Sequence, residues 1–245
     1  MYSANYLFRT HGIRWAIDPL RLKQRVPEAP AMDVSHDLDG LSLILLTHRH
    51  ADHLDLNLVN ALAKKPILWV VPEDIQAMVE QAGLSREKII QPRPLEPVEF
   101  RGMRITPFHG LHWENDPRRP DGLRGVPAIG YLVEFNGKRW LFPGDIRTYD
   151  LSLLPSIGAV DVAFVHLWLG RASALLENPP LLESFCRFCQ GLYSRRIIIT
   201  HLQEFGREAH EFWDDGHFQQ VKQCLHRNAP GILVESAGMG DCVNL

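Results

Sequence analysis

The stretch Thr47-His48-Arg49-His50-Ala51-Asp52-His53-Leu54-Asp55 gathers three imidazoles and a carboxylate, at His48, His50, His53 and Asp52. Clustered imidazoles repel when charged and are costly to bury without partners, so a shared metal ion is the economical explanation. Alternate residues of an extended or turning segment point the same way. His48 and His50 can then grip one ion while Asp52 and His53 face a neighbouring position. Imidazole mixed with carboxylate suits Zn, Mn or Fe.

These residues follow directly on Leu41-Ser42-Leu43-Ile44-Leu45-Leu46, an apolar run that reads as a buried strand. The ligand-type side chains therefore stand where strand passes into loop, a frequent place for chemistry on a rigid scaffold. Further ligands have to come from other strand ends, and three positions qualify. His112 lies past the strand Met103–Phe108, with His109 as the alternative. Asp145 follows Trp140-Leu141-Phe142-Pro143-Gly144. His201 follows Ile197-Ile198-Ile199-Thr200.

The elements that position these groups are legible in outline. A hairpin spans Asn5 to Asp18 and turns at His11-Gly12. Residues 20 to 40 read as a loop. Helical spacing covers Asp55 to Lys65, and Pro72 can open a helix that ends near Gly83. Ile67–Val71 reads as a strand between them. Val98–Phe108 reads as a hairpin turning at Gly102, and Asn136-Gly137 is a strong type I′ turn between Tyr131–Phe135 and Lys138–Phe142. Val160–Val165 and Ile197–Ile199 are further buried strands. Helices are expected over Pro180–Leu192 and His217–His226. There are no repeats and no Gly/Ser linker, so residues 1–245 are read as one α/β domain with two sheets covered by helices.

The bulk composition narrows the function. The chain has 245 residues and a net charge of -3 with both signs well mixed, so no basic field argues for nucleic acid. Four cysteines are too few for a disulfide framework at this length. No apolar run approaches the roughly 20 residues that span a bilayer, and no signal-peptide pattern opens the chain. A reduced, cytoplasmic protein with a small-molecule substrate is expected. Oligomeric state has no signature.

The Ile17-Asp18-Pro19 strand end, the His-x-His-x-Asp-His-Leu-Asp motif, Pro143-Gly144-Asp145 and Thr200-His201 together resemble the metallo-β-lactamase fold family of metallo-hydrolases over nearly the whole length. The chain is most similar to the branch with the ascorbate-6-phosphate lactonase, the phospholipase-D-like hydrolases and the ribonuclease Z type phosphodiesterases. The resemblance implies a four-layer αβ/βα sandwich and two divalent metal ions, zinc first, with Mn or Fe as alternatives. It implies that His48, His50 and His112 hold the first ion. Asp52, His53 and His201 hold the second, with Asp145 bridging. Asp145 stands where well-known β-lactamases carry a Cys, which points to phosphodiesterase, lactonase or thioesterase chemistry. His50 stands where di-iron redox relatives carry Glu. Members of the family usually have a strand before the first hairpin, whereas this chain opens almost at the hairpin.

The implied mechanism is attack by a metal-bridging hydroxide on an ester, lactone or phosphodiester of a small substrate, with phosphorylated or otherwise anionic molecules among the candidates. Asp52 would ligate and orient that hydroxide, a catalytic role. Asp18 and Asp55 are expected to accept the second N–H of ligand imidazoles. The alternatives are a nucleic-acid phosphodiesterase of ribonuclease Z type and a metal-binding scaffold without turnover.

Other residues carry weaker signals. His166 ends a strand and is a candidate catalytic or substrate-contacting group; the plain alternative is a packed histidine bonded to backbone. Arg118, Arg119 and Arg124 lie in a Pro-rich loop that can clamp an anion, or they are solvated charge. Cys186-x-x-Cys189 reads as buried packing thiols. His210, His217 and His226 read as surface or capping histidines. Trp168, Phe205, Phe212 and Trp213 are core or pocket wall.

Overall fold

A computed structural model describes residues 5–21, 32–115, 122–169, 180–202, 213–238 and 240–245. Two compact units divide the chain, one ending at Pro92 and the other spanning Arg93–Leu245.

The N-terminal unit opens with a hairpin of β1 (Tyr6–Thr10) and β2 (Ile13–Ile17). Its turn residues His11 and Gly12 have φ of 45° and 83°, the left-handed geometry whose twist matches paired strands. A one-turn helix α1 (Val34–Asp37) precedes β3 (Leu41–Leu45), every residue of which is buried. The chain continues through α2 (Leu56–Leu62), β4 (Leu68–Val70), α3 (Glu73–Gln81) and the two-residue β5 (Ile89–Ile90). The strands form one sheet in the order β1-β2-β3-β4-β5, parallel from β2 onward. Leu58, Val59 and Leu62 of α2 and Ile75 and Val79 of α3 share a core cluster with Ile44, Trp69 and Val71. Helical spacing puts those apolar residues on one face of each helix, which is why these segments bury a stripe.

The C-terminal unit begins with a hairpin of β6 (Val98–Phe100) and β7 (Met103–His109). A separate ribbon follows, β8 (Trp113–Asn115) with β9 (Leu123–Gly125). Next come β10 (Ile129–Phe135), β11 (Lys138–Phe142), β12 (Val160–His166), α4 (Pro180–Gly191), β13 (Ser194–Thr200), α5 (Asp215–Asn228) and β14 (Leu233–Ser236). The sheet order is β14-β13-β12-β11-β10-β7-β6. β11 to β14 are parallel, so β11, β12 and β13 all run into their loops at the same sheet edge. Phe185, Phe188 and Cys189 of α4 and Val221, Cys224 and Leu225 of α5 share the core cluster with Val165, Ile197 and Ile199. Cys186 and Cys189 are packing thiols as expected; burial pushes both up from the ordinary thiol range and away from the reactive thiolate.

The α/β class holds in both units. The sequence reading missed β5, β8, β9 and β14. All four are short, and β8, β9 and β14 lack a strong apolar run. Among the described residues no helix is long and apolar enough to cross a membrane.

Asp55 departs from its expected role beside a ligand imidazole. It caps α2, accepting the Leu58 N–H at 2.9 Å, and it takes Arg21 Nε at 2.9 Å and Nη2 at 3.1 Å. Burial would raise its carboxyl, but the Arg21 and Leu58 bonds outweigh that and hold it below the ordinary range. A lowered folded value means the stabilisation is present above the unfolded value of about 3.9 and is lost as pH falls through the folded one. Asp55→Ala should therefore cost about 1–3 kcal/mol near neutrality by chemical denaturation. The gap to wild type should shrink as pH falls below the unfolded value of about 3.9 and the wild-type carboxyl takes up its proton; a gap undiminished in acid would contradict this assignment.

Candidate metal centre

In the N-terminal unit the site is built around Asp18, which leaves β2 at a φ of 45° and is fully buried. Its carboxylate accepts the Thr47 backbone N–H at 2.8 Å and the Thr47 hydroxyl at 2.5 Å. It also lies 2.8 Å from His53 Nδ1. A carboxylate can only accept there, so His53 carries its proton on Nδ1 and its Nε2 is the nitrogen that could ligate a metal. Thr47 extends the same logic to His48. Its single hydroxyl proton goes to Asp18, so its oxygen must accept from His48 Nδ1, 2.9 Å away. His48 likewise has Nε2 as the nitrogen that could ligate a metal, and one carboxylate sets the tautomer of two imidazoles. Burial pushes the Asp18 carboxyl up, against the lowering from His53 and Thr47.

His48 Nε2 lies 3.1 Å from His50 Nδ1. Two nitrogens bound tetrahedrally to Zn at about 2.0–2.1 Å would stand roughly 3.3 Å apart. The pair therefore fits one edge of a coordination sphere. The His53 and Leu54 N–H groups both donate to the His50 carbonyl at 2.9 Å, closing the turn that carries Asp52. Asn5 ties this turn to the hairpin end, donating to the Asp52 and Asp18 carbonyls at 3.0 and 2.7 Å.

In the C-terminal unit the site is built around Asp145. Its Oδ2 lies 3.4 Å from His112 Nε2 and its Oδ1 lies 3.6 Å from His201 Nε2. The two oxygens are thus turned to different imidazoles, the attitude of a carboxylate that can span two ions. His109 ends β7 opposite Ile129 and is exposed, whereas His112 is fully buried. His201 has a φ of 66°, a left-handed conformation costing a non-glycine residue about 1–3 kcal/mol, and such outliers concentrate at functional sites. Gly125 backs His112: a Cβ there would sit 1.8 Å from the His112 carbonyl oxygen, so only glycine fits.

His166 accepts a backbone hydrogen bond at Nδ1, where the Ile146 N–H donates at 2.7 Å. A neutral imidazole that accepts at Nδ1 carries its proton on Nε2, so His166 presents Nε2–H as a donor and has no nitrogen lone pair for a metal. Its Nδ1 lies 3.9 Å from Asp145 Oδ1 and its ring 4.1 Å from that of His201.

His217 closes a capping box with Asp214 at the start of α5, as the plain reading expects, and His36 is exposed on α1. Arg118, Arg119, Phe205, Phe212 and His210 lie outside the described residues, as does the Arg124 side chain. Thr47 and Gly125 escaped the sequence reading. Thr47 had a usable signal, a hydroxyl directly before the first histidine of the motif; Gly125 had none, since its role depends on a ribbon partner.

The donor set is imidazole and carboxylate only, because the three buried cysteines lie among α4 and α5. That chemistry suits divalent Zn, Mn or Fe. A family model described as a beta-lactamase superfamily domain matches residues 15–202. The chain therefore belongs to the metallo-β-lactamase superfamily. It is 25% identical over 152 residues to a UPF0173 metal-dependent hydrolase of Natranaerobius thermophilus, a match covering 58% of this chain. The chain spans about 60% of that relative's length. Its fold is similar to that of the isothiocyanate hydrolase from Delia radicum gut bacteria, with a TM-score of 0.71, 17% identity and coverage of 100% and 97% of the two chains. It is also similar to Igni18, a metallo hydrolase from Ignicoccus hospitalis, with a TM-score of 0.70, 18% identity and coverage of 99% and 94%. At those identities the likeness is one of fold.

If Asp18 orients His48 and His53, removing it should weaken metal binding without unfolding the chain. Asp18→Asn is expected to lose about 10–100-fold in metal affinity by competition with a chelating dye, with an unchanged circular dichroism spectrum. Wild-type affinity in that variant would remove Asp18 from the site.

Proposed function

We propose that this chain is a metal-dependent hydrolase that cleaves an ester, lactone or phosphodiester bond of a small substrate at a centre of two divalent ions, zinc first. His48, His50 and His112 are assigned to one ion, and Asp52, His53 and His201 to the other, with Asp145 between them. The observation that carries this reading is the Asp145 carboxylate, with one oxygen turned to His112 and the other to His201. Membership of the superfamily and the tautomers set by Asp18 support it. A family match that runs through both units supports one hydrolase domain. The four cysteines are all free thiols, which suits a cytoplasmic setting.

A pair of divalent ions held by these residues would supply an acidified water as nucleophile and neutralise charge developing on the substrate. The protein's own residues do the rest. Asp52 is assigned to orient the attacking water through its carboxylate. His166 is assigned as a donor through Nε2–H, to the oxygen that gains charge or to the departing group. The Ile146 N–H holds that ring in the donating tautomer. No serine or cysteine nucleophile is needed.

Emission spectroscopy on the purified protein should find two equivalents of metal, and Asp145→Ala should retain one or fewer. Turnover of bis-p-nitrophenyl phosphate, a homoserine lactone or a thioester should accompany the full complement and vanish in Asp52→Ala. Full metal with no turnover on any of the three would favour a scaffold over an enzyme.

His166→Ala should keep its metal and lose about 10²–10⁴-fold in kcat. Loss of metal in that variant would make His166 a ligand instead.

A further inference from the structure

Asn5, the residue before β1, holds two carbonyls with one nitrogen. Its Nδ2 donates to the Asp18 carbonyl at 2.7 Å and to the Asp52 carbonyl at 3.0 Å. A primary amide nitrogen carries two protons, so both are spent. The amide can sit only this way round, because a turned amide would set its oxygen against two carbonyl oxygens.

Each of those carbonyls belongs to a peptide plane that aims a residue of the site. The plane after Asp52 is shared with His53. Its N–H donates to the His50 carbonyl at 2.9 Å and its C=O accepts from Asn5, so the plane is held at both ends. A rigid plane held so constrains ψ of Asp52 and φ of His53, the dihedrals that swing those two side chains. The plane after Asp18 leads into Pro19, which has no N–H. Its carbonyl is the one hydrogen-bonding group of that plane, and Asn5 takes it. The Asp18 N–H is spent on the Leu45 carbonyl at 3.0 Å. Asp18 Oδ2 in turn lies 2.8 Å from His53 Nδ1. The contacts therefore close a ring through Asn5, Asp52, His53 and Asp18. The residues on it that carry the chemistry, Asp18, Asp52 and His53, are all buried.

We propose that Asn5 is a positioning residue: its amide locks Asp18, Asp52 and His53 into one rigid piece, so that the Asp52 carboxylate and the His53 ring are aimed before metal or substrate arrives. The task given to Asp52 rests on the hydrolase reading; the locking is tested first by metal binding, which needs no turnover.

Asn5→Asp keeps the shape of the side chain and replaces the double donor with an acceptor facing both carbonyls. In competition with a chelating dye it should lose about tenfold or more in zinc affinity for at least one equivalent, with an unchanged circular dichroism spectrum. Wild-type affinity overturns the positioning. At saturating zinc, kcat should fall about tenfold or more while KM stays within about threefold, because Asp52 aims the water and not the substrate. A residue that only stabilises the fold would lower the denaturation midpoint and leave that kcat at its wild-type value, a result that also overturns the positioning. Should Asn5→Asp fail to fold, Asn5→Ala, which deletes the donor without adding a charge, decides by the same readouts; failure of both to fold makes Asn5 a folding residue and overturns it.

A wild type that binds zinc but cleaves none of bis-p-nitrophenyl phosphate, a homoserine lactone and a thioester would sink the hydrolase reading. The zinc affinity of the Asn5 variant then decides the positioning by itself.

Discussion

The buried carboxylate of Asp18 is the interaction on which the N-terminal half of the candidate site depends. A carboxylate withdrawn from water is costly unless its oxygens are satisfied. Here the partners are the Thr47 N–H and hydroxyl and the His53 ring, all within 2.8 Å. That satisfaction has a chemical consequence beyond stability. Because Asp18 can only accept, every proton in the network is assigned, and the assignment ends with His48 and His53 each offering Nε2. The β2 and β3 strands are parallel neighbours, with Ile17 opposite Leu45, and so deliver Asp18 and Thr47 side by side. The sheet is thus the device that sets the tautomers.

Asp145 plays the corresponding part in the C-terminal unit, with a different logic. Its oxygens are divided between His112 and His201, and the next residue's N–H holds His166. Three parallel strands, β11, β12 and β13, end at one edge and bring Asp145, His166 and His201 there from distant parts of the chain. The positive φ of His201 shows that this convergence is not relaxed backbone. A residue is kept in that conformation where its surroundings over-determine it. The two histidines face Asp145 and its neighbour differently: His201 turns Nε2 toward the carboxylate at 3.6 Å, whereas His166 accepts the Ile146 N–H at Nδ1 and so carries its proton on Nε2.

Much of this was legible in the chain. Apolar runs marked β3, β12 and β13, and residues following each run marked His48, His166 and His201, because a buried strand has to end where polar chemistry can begin. Asn136-Gly137 marked its turn because few other dipeptides accept two left-handed residues in succession. Asp55 misled for a related reason. Its place in the motif suggested a partner for a ligand imidazole, yet the same position opens α2, and a helix N-terminus competes for any nearby carboxylate. The Arg21 guanidinium then completed its coordination. Short strands such as β8 and β14 gave no periodic signal, since they exist through their partners.

The sequence alone determined the chemistry available to this protein: imidazoles and carboxylates in metal-ligand spacing, a carboxylate rather than a thiolate at position 145, and thiols placed in helices. Donor type is a property of the residue and survives any fold. Tertiary structure decided everything that depends on an angle or a lone pair. It buried His112 beside Asp145 and left His109 on an exposed strand end. It chose Asp18 over Asp55, made Thr47 a relay, and set the proton of His166 on Nε2. These choices turn on distances of about 3 Å between residues far apart in the chain, and only the packing of strands sets such distances.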